Sequence, residues 1–198
     1  MSDAQINIAV DAMGGESSPL KILKGSEIFL DSNKNVKLFF FGNKNLIEEV
    51  IFKNKLALFN YEIFNTIENV QDNDSTSTIL RSRKDSSIYK GLEFVSKQKY
   101  SGFVSAGNTA ALMILSRLLI GTINGIDRPA ICSLIPTRKN YSLMLDLGAN
   151  VIVNASNLFQ FALMGYSYFA MIEKNINPKI GIINIGTENN KGLEFLQE

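Results

Sequence analysis

A pattern that recurs in this sequence is an apolar segment that ends abruptly in a turn of Gly and small polar residues. The pattern occurs around residues 10–15, 104–109, 145–150 and 183–188. An apolar run stopped in this way is typical of a buried strand in an α/β protein, where the loops after the strands carry the ligand site. Because the carboxyl ends of parallel strands meet at one edge of a sheet, we expect the four turns to converge there.

Strand-like and helix-like segments alternate along the rest of the chain. Strands are predicted at residues 6–10, 36–41, 61–64, 102–105, 130–135, 143–147 and 180–185, with helices between most of them. This alternation predicts an α/β fold of three layers, with a mostly parallel sheet and helices on both faces, in a single domain over residues 1–198. An antiparallel pair within residues 130–147 stays open as an alternative for that segment.

Helix starts are predicted from Ser, Thr and Asn, because their side chains accept hydrogen bonds from the free N–H groups of a first helical turn. The predicted N-caps are Ser17 or Ser18, Asn43 or Asn45, Asn108 or Thr109, and Ser156. Pro19 is predicted as the first residue of the helix after the first turn, since its fixed φ suits that position.

Composition excludes several kinds of chemistry. The chain has no His, which removes Ser-His-Asp catalysis, Cys-His catalysis and imidazole metal sites. Its net charge of +1 gives no bias toward nucleic acid.

Cys132 is the single Cys, so no internal disulfide can form, and its apolar strand-like surroundings predict a buried, inert thiol. The apolar segments 110–120 and 159–172 carry polar residues, which predicts core or interface helices rather than membrane spans.

Two of the turns have the residues that an anion site needs. Gly107, Asn108 and Thr109 precede one predicted helix, and Gly14 and Gly15 precede another. Gly lets a ligand approach the backbone, and a helix N-terminus offers free N–H groups and a positive dipole end, which suits phosphate. Each turn alone is also explained as a tight turn with a structural cap. The motifs of dinucleotide and P-loop sites do not occur.

Three further groups allow both a structural and a functional interpretation. Asp11 and Asp146 end strands, where a carboxylate either accepts hydrogen bonds from turn amides or serves the site. Lys191 is either a solvated lysine at a helix start or a cation of the site. The charged residues at 81–85 form either a solvated face or an anion clamp, and the sequence leaves these alternatives open.

Seven motifs are spread across the chain: Ala9 to Gly15, Arg83 to Ser87, Ser105 to Thr109, Gly125 to Ala130, Asp146 to Asn150, Gln160 to Gly165, and Asn184 to Glu188. Together, in this order and spacing, they resemble the motifs of the bacterial phosphate acyltransferases of phospholipid synthesis. Each motif alone is a weak signal, whereas the combination is highly specific.

The resemblance implies a reaction in which inorganic phosphate attacks an acyl thioester on acyl carrier protein, giving an acyl phosphate and the free carrier without a metal or cofactor. It implies a fold similar to isocitrate and isopropylmalate dehydrogenases and to phosphotransacetylases, and a homodimer. It also implies a cytoplasmic location with peripheral association at the inner face of the membrane, and no nucleic-acid partner. Family members run considerably further, so this chain is expected to be the N-terminal part of a longer one.

The resemblance also assigns residues to the site. Phosphate is itself the nucleophile and the leaving thiol has a pKa of about 8.5, so the enzyme mainly supplies orientation and charge stabilisation. Lys191 is the expected cation near the phosphate or the oxyanion, and Asn108 is the second expected catalytic residue. The expected phosphate- and substrate-binding residues are Asp11, Gly14, Gly15, Ser105, Gly107, Thr109, Asp146, Asn150, Thr187 and Glu188.

Some positions depart from the family's motifs. Glu16, Ala110 and Leu193 stand where Asp, Gly and Asn are usual. Three alternatives therefore accompany the main hypothesis. They are a phosphotransacetylase-like acyltransferase, an NAD-dependent decarboxylating dehydrogenase of similar fold, and a non-catalytic fragment. The dehydrogenase would need metal-binding carboxylates and a nucleotide motif, and the sequence assembles neither.

Overall fold

The structure of the chain, a computed structural model, describes residues 5–71, 73–98, 101–174 and 177–184. The chain forms two compact units, Met1–Gly121 and Thr122–Glu198, and each is described by itself. The expectation of a single domain over residues 1–198 stays a prediction.

The first unit alternates strands and helices as predicted. Its elements are β1 (Ile6–Asp11), α1 (Leu20–Ser32), β2 (Val36–Gly42), α2 (Lys44–Asn54), β3 (Tyr61–Asn65), α3 (Thr76–Ser82), α4 (Ser87–Lys97), β4 (Ser101–Val104) and α5 (Thr109–Leu119). The four strands are parallel and lie in the order β3-β2-β1-β4. Val10 of β1 pairs with Phe40 of β2 and with Val104 of β4, so the carboxyl ends of β1 and β4 lie side by side.

The sheet of the first unit is covered on both faces. Alternate residues of a strand point to opposite sides, which explains why β2 is apolar at successive positions. Phe40 packs in one cluster with Leu23 of α1 and Ile47 of α2. Phe39 points the other way and meets Phe94 of α4, with 4.7 Å between ring centroids. The predicted three-layer α/β arrangement with a mostly parallel sheet is confirmed, while its likeness to the dehydrogenase fold stays a prediction.

Side chains cap most helix starts of this unit. The residues Asn43, Ser75, Ser86 and Asn108 each accept a hydrogen bond from the backbone N–H three residues further on. The expected cap of α1 by Ser17 or Ser18 is wrong, because α1 follows Pro19 at the N-cap without a side-chain cap bond. Ser18 Oγ instead donates to the Gly14 carbonyl, so this hydroxyl stabilises the preceding turn rather than the helix.

The second unit contains the antiparallel pair β5 (Cys132–Pro136) and β6 (Tyr141–Leu145), followed by α6 (Ala155–Ile172). The antiparallel alternative for residues 130–147 is therefore confirmed. α6 packs on β6, where the rings of Tyr141 and Phe169 lie 5.9 Å apart. The predicted cap Ser156 is wrong, because Asn154 and Asn157 form a reciprocal capping box that makes Asn154 the N-cap and starts the helix at Ala155.

Two expectations of burial in the second unit are also wrong. Cys132 is exposed, as is every residue of β5, because a lone two-stranded ladder covers little of its own surface. Residues 180–184 belong to neither a helix nor a strand, and Ile180 and Ile183 are exposed. An apolar run becomes a buried strand only where a neighbouring strand takes its backbone hydrogen bonds. Residue 185 of the predicted strand lies outside the described residues.

The two long apolar segments form helices, each with part of its surface buried. In α5, Ala111 and Leu115 are buried in a cluster with Leu92 of α4, and α6 buries Phe161. Among the described residues, no helix is both long enough and apolar enough to cross a bilayer.

Candidate functional site

The first two predicted turns meet at the carboxyl edge of the sheet. Ser105, just after β4, donates its Oγ hydrogen to Asp11 Oδ2 at the end of β1 over 2.7 Å. The other carboxylate oxygen of Asp11 accepts from the Met13 backbone N–H at 3.0 Å. Ser105 Oγ also accepts from the Gly107 N–H at 3.0 Å. These bonds fix the two turns against each other around an Asp11 side chain that is 1% exposed.

The close approach of these turns explains two of their glycines. A Cβ on Gly14 would overlap the Asp11 carboxylate and lie 2.7 Å from the Gly107 nitrogen. Gly15 has a φ of +84°, which L side chains rarely adopt, and its Cβ would lie 2.9 Å from the Ala106 carbonyl oxygen. Both positions therefore require glycine for the turns to make contact.

A cavity of about 540 Å³ opens between these turns, the loop after β3 and the start of α4. It is lined by Asp11, Met13, Gly14, Gly15, Glu16, Asn69, Val70, Gln71, Ser87, Ile88, Ala106, Gly107 and Asn108. The predicted residues Ser105 and Thr109 flank this lining, at the Asp11 hydrogen bond and at the first position of α5. The structure thus brings the residues predicted from the first two turns into one place.

Two helix N-termini border the same cavity. Asn108 caps α5, where its Oδ1 accepts from the Ala111 N–H at 2.9 Å. Ser86 caps α4, where its Oγ accepts from the Tyr89 N–H at 3.3 Å. Helix N-termini carry uncompensated N–H groups and a partial positive charge, which stabilise an anion. None of the described residues that line the cavity is Lys or Arg. Within the described part of the chain, the positive potential in the cavity therefore comes from these two helix N-termini.

The loop after β3 is held in place by charged side chains. Arg83 makes a bidentate ion pair with Asp74, with its Nε 2.8 Å from Oδ2 and its Nη2 3.0 Å from Oδ1. Asp85 accepts from the Ile67 N–H, and Glu68 accepts from the Asp85 N–H. The Arg83 guanidinium lowers the pKa of Asp74, and Asp74 in turn raises the pKa of Arg83. For residues 81–85 the sequence left open a solvated face or an anion clamp. Arg83 fits neither description, because its guanidinium pairs with Asp74 and so stabilises the loop that forms one wall of the cavity.

The third turn lies in the second unit and is closed by its own hydrogen bonds. Asp146 accepts from the Ile131 N–H at 2.8 Å and from the Asn150 N–H at 2.7 Å. The Asn150 amide donates to the Pro129 carbonyl at 2.9 Å. The expectation that this turn follows a parallel strand is wrong, because β6 pairs antiparallel with β5. Asp146 and Asn150 therefore have a clear role in the turn, and a role in ligand binding stays a prediction.

The remaining predicted residues belong to the fourth turn. Thr187, Glu188 and Lys191 lie outside the described residues.

Among the residues that the structure describes, no group of three or more His, Cys, Asp or Glu side chains is placed so that it could hold a metal ion.

Sequence reasoning assigned no site residues to the loop after β3 or to the start of α4. Asn69, Val70 and Gln71 line the cavity, as do Ser87 and Ile88. A signal for α4 was present, since two serines directly before an apolar-periodic segment are typical of a helix start. The polar loop over residues 65–78 did carry a signal, because long loops inside compact domains are often functional. Which of its residues line the cavity depends on tertiary contacts, among them the Asp74–Arg83 ion pair and the hydrogen bond from the Asp85 N–H to Glu68.

Comparison with known proteins gives the family. A family model described as "fatty acid synthesis protein" matches residues 6–198. The chain is 44% identical over 196 residues to a phosphate acyltransferase of Wolbachia sp. subsp. Brugia malayi (strain TRS), covering 97% of this chain and 57% of that relative. It is 46% identical over 197 residues to a phosphate acyltransferase of Wolbachia pipientis wMel, again covering 97% and 57%. A phosphate acyltransferase of Caldicellulosiruptor bescii is 38% identical over 193 residues, covering 98% and 58%.

These similarities confirm the resemblance inferred from the seven motifs. The chain spans a little more than half the length of the curated relatives that it matches. Since the family model extends over nearly all of its residues, the chain belongs to the fatty acid synthesis protein family.

Proposed function

We propose that the protein transfers a fatty acyl group from acyl carrier protein to inorganic phosphate and so supplies acyl phosphate for phospholipid synthesis. The observation that carries this proposal is the cavity in the first unit, where two helix N-termini and a double-glycine turn surround one space. The names of the relatives, phosphate acyltransferase, support the same reaction class.

The chemistry suits a site without a side-chain nucleophile. A phosphate oxygen attacks the thioester carbonyl carbon, a C–O bond forms, and the C–S bond breaks as the thiolate leaves and later takes up a proton. The developing oxyanion and the phosphate both need hydrogen-bond donors and positive potential. Backbone N–H groups at Asn108 and Thr109, and the amide of Asn108, are the donors proposed here. Fixed backbone donors stabilise charge without reorganising during the reaction.

The other assignments from the family resemblance are proposals as well. Lys191 is proposed as the cation of the reaction, with Thr187 and Glu188 beside it. Asp146 and Asn150 are proposed to shape the substrate site through the turn that they close. Acyl carrier protein and inorganic phosphate are the proposed partners, and the protein is proposed to be a cytoplasmic homodimer that associates with the membrane peripherally. A dehydrogenase-like topology is proposed for the whole sheet.

The direct test is formation of acyl phosphate. The 198-residue chain and a chain extended to the length of its relatives are each incubated with long-chain acyl-acyl carrier protein, and hydroxylamine traps the product. Phosphate-dependent product from either chain supports the proposal, and product from the extended chain alone makes these 198 residues one part of the site. Absence of product from both folded chains contradicts it.

A variant tests the proposed cation within the same assay. Lys191→Ala is expected to abolish phosphorolysis while leaving the circular dichroism spectrum unchanged. Lys179→Ala is the matched control, because Lys179 is an exposed lysine outside the motifs. Normal turnover by the Lys191 variant would exclude Lys191 as the cation without affecting the proposed reaction.

A further inference from the structure

We infer that Ser87 and the first turn of α4 form a second anion subsite, which binds the inorganic phosphate through the Ser87 hydroxyl and the N–H groups of Ser87 and Ile88. This inference rests on the proposed function, because phosphate is the small anion of that reaction. Ser87 closes the motif Arg83 to Ser87, but it is not among the site residues expected from the family resemblance, and it lies on a helix other than α5.

The Ser87 side chain lacks the partner that a buried hydroxyl normally has. Ser87 is 3% exposed, and its hydroxyl makes no hydrogen bond to any residue that the structure describes. Buried hydroxyls are almost always bonded, because losing water without compensation costs free energy. Among the side-chain nitrogen and oxygen atoms of the described residues, Thr66 Oγ1 is the only one that is both sealed from solvent and without a hydrogen-bond partner. Ser87 Oγ therefore keeps some accessible surface, and the residue borders the cavity.

The neighbouring backbone donors are also free. The capping function of α4 is performed by Ser86, whose Oγ donates to the Arg83 carbonyl and accepts from the Tyr89 N–H. Ser87 and Ile88 occupy the first two helical positions, whose N–H groups have no acceptor inside the helix. Neither N–H has an acceptor elsewhere in the described part of the chain. Ser87 is thus not needed to cap α4, and its hydroxyl belongs to the same helical turn as two backbone N–H groups without an acceptor.

The chemistry of these donors selects a phosphate-like anion. Three neutral donors belong to the first two residues at the positive end of an eleven-residue helix that borders the cavity, which suits an anion with several acceptor oxygens. The nearby Asp11 carboxylate already accepts from Ser105 and Met13, so it does not compete for the donors on α4. The N-terminus of α5 borders the same cavity through Asn108, which leaves a second set of donors for the acyl oxyanion.

The test separates binding from folding. Binding of inorganic phosphate to the wild-type chain, Ser87→Ala and Ser96→Ala is measured by equilibrium dialysis and by the phosphate-induced rise in Tm. Ser96 is the matched control, because it lies at the far end of the same helix, is exposed and bonds to the Glu93 carbonyl. Ser87→Ala is expected to weaken phosphate binding roughly tenfold or more, the usual effect of losing a hydrogen bond to a charged group. Its Tm in phosphate-free buffer is expected to stay unchanged or to rise, because the lost hydroxyl had no protein partner.

Kinetics on an active chain give the second readout. Ser87→Ala is expected to raise the KM for phosphate while leaving the KM for acyl-acyl carrier protein near the wild-type value. Unchanged phosphate affinity in Ser87→Ala, or a wild-type chain that does not bind phosphate, would overturn the subsite. A fall in Tm with equal loss of affinity for both substrates would also overturn it and assign Ser87 a structural role. The proposed function is decided separately, by whether acyl phosphate is formed.

Discussion

Ser105 and Asp11, which are 94 residues apart in sequence, are joined by a 2.7 Å hydrogen bond that fixes the first two turns of the site against each other. The bond exists because β1 and β4 are neighbours in the sheet, so their carboxyl ends emerge side by side. It makes Asp11 a residue that positions backbone donors around the cavity. This favours the structural alternative of the two that the sequence left open for Asp11.

Asp11→Ala is expected to destabilise the first unit by about 1–3 kcal/mol, because it leaves the Ser105 hydroxyl and the Met13 N–H without their acceptor. Urea denaturation followed by circular dichroism measures the change. Asp31→Ala is the control, since its side chain is 85% exposed and pairs with Lys34 at the surface, and it should change stability by no more than about 0.5 kcal/mol. Equal stability of the two variants would contradict the positioning role.

Gly14→Ala is expected to lower the free energy of unfolding by about 1–3 kcal/mol, because the new methyl group would overlap the Asp11 carboxylate and crowd the Gly107 nitrogen. The matched control is Gly25→Ala, in the middle of α1, where an added Cβ meets no atom within 4 Å. That change should instead stabilise the protein by about 0.5–1 kcal/mol, because Ala restricts the unfolded chain and favours the helix. Thermal unfolding of both variants in one buffer checks the opposite signs.

The Asp74–Arg83 pair gives the protein a predictable response to acid. The hydrogen bonds from Arg83, and then from the Gln71 N–H, hold the pKa of Asp74 below its usual value of about 3.9. Because the folded pKa is the lower one, the pair contributes stability above about pH 3.9 and loses that contribution as the pH falls through the folded value. Asp74→Asn is therefore expected to flatten the fall in stability below pH 4.

The measurement is stability against pH, together with amide hydrogen exchange of the loop that carries Gln71. Asp31→Asn is the control, because the Asp31–Lys34 pair is exposed to solvent on both sides. It should follow the wild-type curve closely. A curve for Asp74→Asn that coincides with the wild type would show that the ion pair does not hold the loop.

Thr66→Val should leave the stability unchanged or raise it. Thr66 is 3% exposed, and its Oγ1 is sealed from solvent without a partner among the described residues. Valine has nearly the same shape and removes the cost of the unbonded hydroxyl. Thr66→Ala, which removes volume as well, should be less stable than the valine variant. A clear loss of stability in Thr66→Val, measured by thermal unfolding, would mean that this hydroxyl has a partner after all.

Local elements and much of the chemistry could be predicted from the sequence. Strand cores, most helix positions and the caps at Asn43 and Asn108 follow from interactions over three or four residues, which a linear pattern records. The glycines of the first turn were also identified from sequence, although their close contact with Asp11 and Ala106 was not. Two predicted caps were wrong. The Ser18 hydroxyl bonds to the Gly14 carbonyl instead of capping α1, and Asn154 rather than Ser156 caps α6.

Which turns share a cavity depends on how the distant segments of the chain pack together. Strand order placed β1 beside β4, and the Asp74–Arg83 ion pair together with the hydrogen bond from the Asp85 N–H to Glu68 ties the loop after β3 to the segment before α4. Antiparallel pairing removed the third turn from the parallel sheet, and residues 180–184 stayed outside any strand despite their apolar pattern. Such features escape a linear pattern because strand partners and ion pairs depend on contacts between distant segments, whose free energy is set by the packing of the whole unit. Ser87 shows the consequence, since its free hydroxyl at the cavity is visible only once α4 is in place.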